Sequence, residues 1–404
     1  MKTIRDILVS LRSGIMGVIG QALAFVTLFI PAFTGHLEIL PNLVIISAVS
    51  AILIPTTTLA AQVRLPILPS RSMLKNSRNV VISIGSTVSL LLVSAICLIS
   101  WSMEISTILF SMAVTHLGHS AYIFMNALLV RSGLIREIAI LRFSYSFVTL
   151  LFTLIATLVL PSTLGFSLAI GSGFLVGMVF TLIRVRRTMR RLIVTNADCR
   201  DESANSIGSL LQVIVIQTMA SIIHQAFALV TPLLGNFAIA WSLVLRFVNG
   251  LETFGGVILG PILDAEFISH RTSGDLERVV QIIRKTISLG TILGLVAAVS
   301  VPIFDFLRLL ALVQHSSDSR LLVMLTMSLF AFGHVAVAPI GRIVYFLNGN
   351  KLKFWSECVR AIFVISAVFA GVAEAKLVFL SIGSIAAASL TLLWVSVYAG
   401  RIKF

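Results

Sequence analysis

Apolar runs of about 20 residues, each long enough to cross about 30 Å of hydrocarbon as a helix, recur from one end of the chain to the other. Short polar gaps separate them. The apolar positions are continuous and do not alternate with period two, so the pattern predicts helices buried on all sides and not barrel strands. In lipid only these two structures satisfy their own backbone. The spacing predicts twelve spans: 12–33, 41–63, 80–101, 105–129, 138–160, 163–183, 207–231, 237–262, 286–307, 321–346, 355–373 and 376–399. No gap between them is long enough for a separate soluble domain.

Composition agrees with the pattern. The chain is 58% hydrophobic and 11% charged, with a mean hydropathy of +1.05, whereas a soluble domain carries about 25% charged residues. The fold class read from the sequence is therefore all-α: a polytopic membrane protein of about twelve transmembrane helices. The net charge of +14 sits in short loops beside apolar spans, which points to a membrane surface. No aromatic-basic module accompanies it, so nucleic acid is excluded as a partner. Cys97, Cys199 and Cys358 have no metal-site or disulfide spacing. Lys2, Arg5 and Arg12 precede an apolar stretch, and Ala22-Leu23-Ala24 resembles a signal-peptidase site. The apolar run continues through Phe33, so a retained first span is expected.

The charges also give an orientation. Of the 30 Lys and Arg residues, nearly all fall in alternate gaps, from Lys2, Arg5 and Arg12 to Arg401 and Lys403. Only Arg308, Arg320 and Lys376 fall in the opposite set. Positive loops stay in the cytoplasm, so both termini are expected there. The two halves read as a weak repeat. Leu129–Arg142 (LVRSGLIREIAILR) holds the place in the first half that Leu347–Arg360 (LNGNKLKFWSECVR) holds in the second. Ser83-Ile84-Gly85 and Ser288-Leu289-Gly290 open the third span of each half. The expected organisation is a six-helix lobe at 1–183, a basic cytoplasmic linker at 184–206 and a second six-helix lobe at 207–404, around a central cavity. The linker segment Arg184–Arg191 reads as an anchor on anionic lipid or as a recruiting site for partner enzymes.

Arg246 alone among the cations lies deep inside an apolar run. Ionisable groups are costly in hydrocarbon and mark functional sites unless they are structural pairs. Asn249 follows at i+3 and shares its helix face, whereas Glu252, at i+6, lies well off it. The functional reading is a cation that receives an anionic group such as a pyrophosphate. The alternative is a structural Arg, paired with Glu252 in another geometry or with helix carbonyls. Span seven carries Gln212, Gln217, His224 and Gln225, uncharged groups suited to sugar hydroxyls or to interhelical bonds. Span four carries His116, His119 and Asn126, read as cavity lining or interhelical bonding; the i, i+3 histidines could also serve a metal or a proton relay, though no metal is expected. His334 and Arg342 take a comparable place in the second half, and Pro339 between them predicts a bend. Gly250, Gly255, Gly256 and Gly260 allow span eight to bend or to pack closely. Asp264 and Glu266 form a D-x-E pair at the end of span eight and read as a solvated helix end. No Gly-rich phosphate loop with Lys-Ser/Thr is present, which argues against ATP driving; no cofactor is expected.

Six plus six spans with basic loops after the second and eighth resemble the polysaccharide-exporter branch of the multidrug/oligosaccharidyl-lipid/polysaccharide exporter superfamily. Three stretches carry the likeness. Ala61–Asn79 (AQVRLPILPSRSMLKNSRN) is similar to the family's Arg-to-Pro loop after span two. Gly235–Phe247 (GNFAIAWSLVLRF) is similar to its opening of span eight, with Phe237 where an aromatic is usual. Tyr345–Lys351 (YFLNGNK) is similar to its turn after span ten. The resemblance implies flipping of an undecaprenyl-diphosphate-linked oligosaccharide across a bacterial inner membrane for O-antigen (lipopolysaccharide), capsule or exopolysaccharide assembly. It also implies polysaccharide polymerase and chain-length proteins as partners, and it places the family's cationic cavity at Arg246.

The expectation is thus an alternating-access flippase and not an enzyme. Arg246 would bind the diphosphate or an acidic sugar, and Gln217, His224, Gln225, Asn249 and His116 would contact sugar. His224 or Glu252 would carry protons if transport is ion-coupled. Two alternatives stay open. An ion-coupled multidrug antiporter would want an acid deep in spans one to six, and none is found there. An integral membrane glycosyltransferase or polymerase would want paired acids in a large external loop, and no such loop exists.

Overall fold

The computed structural model describes residues 4–61, 65, 70–132, 134–195, 207–253, 263, 267, 270, 275–310, 312, 317–340, 344, 347 and 350–401. Among these are twelve α-helices and no strand. They are α1 (Ile4–Phe33), α2 (Leu40–Thr57), α3 (Ser70–Leu98), α4 (Met103–Arg131), α5 (Ile135–Val159) and α6 (Thr163–Thr195), followed by α7 (Ile207–Leu229), α8 (Ala238–Thr253), α9 (Leu276–Phe306), α10 (Ser317–Ala336), α11 (Asn350–Phe369) and α12 (Ala373–Arg401). Each corresponds to one expected span. Ten runs are long and apolar enough to cross a membrane, one of them covering both α7 and α8. α11 is not among the ten, and its sequence carries Lys351, Lys353, Glu357 and Arg360.

The local sequence sets the helix starts. Pro41 lies at the first turn of α2, where a missing N–H costs nothing. Ser102 caps α4 by accepting from the Ile105 N–H at 3.3 Å, and Asp275 caps α9 by accepting from the Arg278 N–H at 3.1 Å. Several helices run further than the hydropathy pattern indicated. α3 and α9 begin well before their apolar stretches, at Ser70 and Leu276, and α6 continues to Thr195. Lys, Arg and Glu end an apolar run but are good helix formers, so the helix persists past the lipid-compatible part. The first half of the segment expected as a linker, 184–195, is therefore helix, and 196–206 lie outside the described residues. α10 ends at Ala336, followed by a turn through Ile340. Pro339 thus lies beyond the helix end and does not bend its interior, which corrects the expected bend. Arg342, Gly255, Gly256, Gly260, Asp264, Glu266 and Cys199 lie outside the described residues, as do parts of the loop after α2 and of the turn around Tyr345.

The chain divides into two compact units, Met1–Gln225 and Ala226–Phe404, with the boundary inside α7. In the first, α1 packs on α5, α5 and α4 pack on α6, and α2 and α3 pack on α4. In the second, α11 and α10 pack on α12, and α8 and α9 pack on α10. Four pairings therefore recur in the same order (α2–α4 as α8–α10, α3–α4 as α9–α10, α4–α6 as α10–α12, α5–α6 as α11–α12), as an internal repeat requires.

Small residues make the tightest of these contacts, the usual solution where no hydrophobic effect drives helix association. Gly118 on α4 lies directly against the Gly171 backbone of α6, and a side chain at either position would collide with main chain. In the second unit a Cβ on Gly333 would come within 2.8 Å of the Ser384 backbone. The same α10–α12 seam is fastened by the Ser381 and Ser384 hydroxyls, which donate to the Thr326 carbonyl at 2.6 Å and the Phe330 carbonyl at 3.1 Å. Of the three cations outside the main basic set, Arg320 donates through Nε to Asp305 at 2.9 Å, tying α10 to α9. Lys376 donates to carbonyls at the end of α11, including Ala367 at 3.4 Å, where a cation also complements the helix dipole.

Candidate functional site

α8 is the most enclosed helix of the second unit: every residue from Ala240 to Val248 is buried. Its position follows from what flanks it. The chain leaves α7 through a 3-10 turn, Thr231–Phe237, in which Gly235 adopts φ 53°, a conformation that suits glycine. Trp241 is fully buried, donates from Nε1 to the Phe227 carbonyl at 3.0 Å and rests on Phe330 of α10 with ring centroids 4.4 Å apart. Phe247 meets Phe304 of α9 edge-on at 5.0 Å. These anchors hold Arg246 at 7% exposure. Asn249, one turn on, is half-buried. A guanidinium stays protonated in proteins, so this is a fixed positive charge in the interior of the unit.

Glu252 lies one turn further along α8. It reaches the His334 imidazole of α10, with Nε2 at 3.3 Å. His334 is 3% exposed and is packed by Phe227 at 5.6 Å and Phe330 at 5.4 Å. A carboxylate and an imidazole held this way can exchange a proton between them, and attraction between their ionised forms is strengthened by the low-dielectric surroundings. The second unit thus combines a fixed cation with a group that can gain or lose a proton.

The other expected contacts belong to the first unit. Gln217, His224 and Gln225 are half-buried on α7, all within the first unit; the side chain of Gln212 lies outside the described residues. His116 lies in the core of the first unit with no exposure. Its Nδ1 meets the Ser50 hydroxyl of α2 at 3.3 Å, and its Nε2 meets the Ser120 hydroxyl at 3.2 Å. With both ring nitrogens occupied, this histidine ties α2 to α4, the interhelical alternative among the two sequence readings. His119 instead stacks on Phe174 of α6 at 5.3 Å.

Sequence reasoning named Glu252 and His334 separately but not as a pair. Their only signal was that each is ionisable inside an apolar run; the contact itself is tertiary. It also grouped Arg142 with the loop cations. In the structure Arg142 lies inside α5, on a span that begins at Arg136.

No family model matches the chain, and no curated protein does. Solved structures do match. A MATE protein in complex with MaD3S is 16% identical, with 98% of this chain and 93% of that chain covered at a TM-score of 0.53. The Vibrio cholerae MATE transporter VcmN in its bent form is 14% identical, with 96% and 95% covered at a TM-score of 0.52. At such identity the likeness is one of architecture: this multi-pass membrane chain has the all-helical, two-lobed fold of MATE transporters.

Proposed function

We propose that the protein is an alternating-access transporter that flips an anionic, undecaprenyl-diphosphate-linked oligosaccharide across a bacterial inner membrane, with both termini in the cytoplasm. The observation that carries this reading is the burial of Arg246 on α8 within a MATE-like fold. A permanent interior cation favours an anionic headgroup and repels the cationic amphiphiles that a drug exporter takes. In the first unit the described acids lie at or near helix ends: Asp6, Glu38, Glu104 and Glu137. The lipid headgroup contacts Arg246 and Asn249, and Gln217, His224 and Gln225 offer uncharged partners for sugar hydroxyls. The polymerase and chain-length proteins of surface polysaccharide assembly are the proposed partners, and Glu252 with His334 is the proposed coupling group.

The same Glu252–His334 pair supports a second reading, an ion-coupled multidrug antiporter, because a protonatable carboxylate inside a helix bundle suits exchange of a proton for a cation. One experiment separates the two. A deletion strain is complemented with wild type or Arg246→Ala, and its lipid-linked intermediates and drug tolerance are measured. The flippase reading expects lipid-linked oligosaccharide to accumulate in the deletion strain, to clear with wild type and to persist with Arg246→Ala. Drug sensitivity without accumulation selects the antiporter.

A further inference from the structure

We infer that Arg142, Tyr122, Asn126 and Tyr145 form a second anion site, inside the first unit, that takes a phosphate-bearing sugar headgroup. This deepens the proposed function and rests on it. Arg142 is six residues along α5 from Arg136, about 9 Å from the basic end of the helix. Its guanidinium lies close to the Tyr122 hydroxyl of α4 and to Tyr145. Tyr122 is nine residues before Arg131, about 13 Å from the basic end of α4. Both residues lie more than a turn inside the span from these basic ends.

The surroundings have the make-up of a sugar-phosphate site. The Tyr122 and Tyr145 rings meet edge-on at 4.8 Å, and Tyr145 stacks on Phe174 of α6 at 4.7 Å. Gly177 fixes Tyr145 in place, since a Cβ there would come within 2.8 Å of it. Asn126 lies one turn from Tyr122 on the same face of α4, and its buried Oδ1 has no hydrogen-bond partner. A buried amide oxygen without a partner needs a donor, which a sugar hydroxyl supplies. Arg142, Tyr122, Tyr145, Asn126 and Phe174 are each half-buried.

The charge of Arg142 is also available. Glu137, on the same helix, is bound by Arg184 at 3.1 Å. The repeat provides a comparison, because Arg360 stands where Arg142 does when Leu347–Arg360 is set on Leu129–Arg142. Arg360 is paired with Glu357, three residues before it, at 3.1 Å. The matching position before Arg142 is Ala139. The second unit neutralises this arginine within its own helix; the first unit leaves it for a ligand. A guanidinium fork fits phosphate oxygens bidentately, the phenol hydroxyls add donors, and the ring faces suit a sugar.

The test is binding of farnesyl diphosphate, inorganic pyrophosphate and neutral farnesol to the purified full chain in detergent. Wild type is compared with Arg142→Gln, Tyr122→Phe and Arg246→Gln, and thermal midpoints are recorded for each. The site predicts saturable farnesyl diphosphate binding, weakened at least ~10-fold by Arg142→Gln and ~2- to 10-fold by Tyr122→Phe. Tighter binding of farnesyl diphosphate than of pyrophosphate assigns a lipid headgroup, and equal affinity assigns a free anion to the same site. Loss in Arg246→Gln with no change in Arg142→Gln or Tyr122→Phe overturns this site and leaves the proposed function standing. Equal binding of farnesol and the diphosphate overturns both. If Arg142→Gln does not fold, the isosteric Tyr122→Phe decides.

Discussion

Arg246 and Glu252, which pairs with His334 of α10, sit within two turns of one helix but differ in kind. The arginine charge is permanent, whereas the pair can change its charge by one proton. The account therefore assigns them separable roles, headgroup recognition and coupling. Glu252→Gln is expected to keep headgroup affinity within a few-fold while abolishing acceleration of transport by an imposed proton gradient, measured in reconstituted vesicles. Loss of affinity with the gradient response retained would reverse the two assignments. The residues differ equally in how far the sequence exposed them. Arg246 was legible because one cation in a long apolar run stands out. The partnership of Glu252 with His334 was not, because 82 positions of chain separate two residues that only the α8–α10 contact brings together. Arg142 was hidden by its proximity to the Arg131 and Arg136 charges, which drew it into the loop in any hydropathy reading.

At the scale of elements, all twelve helices were legible, because lipid allows so few spanning structures that length and apolarity nearly suffice. Their ends were less so. α3, α6 and α9 continue through charged sequence that hydropathy treats as loop, and the end of α10 before Pro339 depends on backbone geometry that an apolar window ignores. The seams were not legible either, since glycines at Gly118, Gly171 and Gly333 look like any others until the facing helix is known. These seams carry a prediction. Gly333→Leu forces α10 away from the Ser384 backbone and breaks the Ser381 and Ser384 hydroxyl bonds. Overpacking of this kind costs about 1–3 kcal/mol, more where the obstruction is main chain. The expected result is a lower thermal midpoint of the purified protein, with Gly371→Leu, which meets nothing within 4 Å, as the unaffected control. Equal midpoints for the two variants would show that the seam is looser than described.

For the whole molecule, the recurrence of four helix pairings in two units bears out the repeat read from Leu129–Arg142 and Leu347–Arg360 as architecture, and the MATE-like fold agrees with it. The halves have diverged where charge is concerned. The first unit presents Arg142 among aromatic rings, and the second neutralises Arg360 and buries Arg246 on a different helix. A two-lobed fold with Arg246 and Arg142 within its helices is the central feature, and it is what supports the proposed anionic lipid-linked sugar. The most direct test is translocation itself. Wild type and Arg246→Gln are reconstituted into vesicles that carry a fluorescent polyprenyl-diphosphate-linked oligosaccharide in one leaflet, and the fraction reaching the other leaflet is followed with time. The account predicts protein-dependent translocation by wild type, slowed at least ~10-fold in Arg246→Gln, corresponding to loss of one charge-assisted contact. Translocation at the protein-free rate, in vesicles where the same preparation exports a cationic dye, would contradict it.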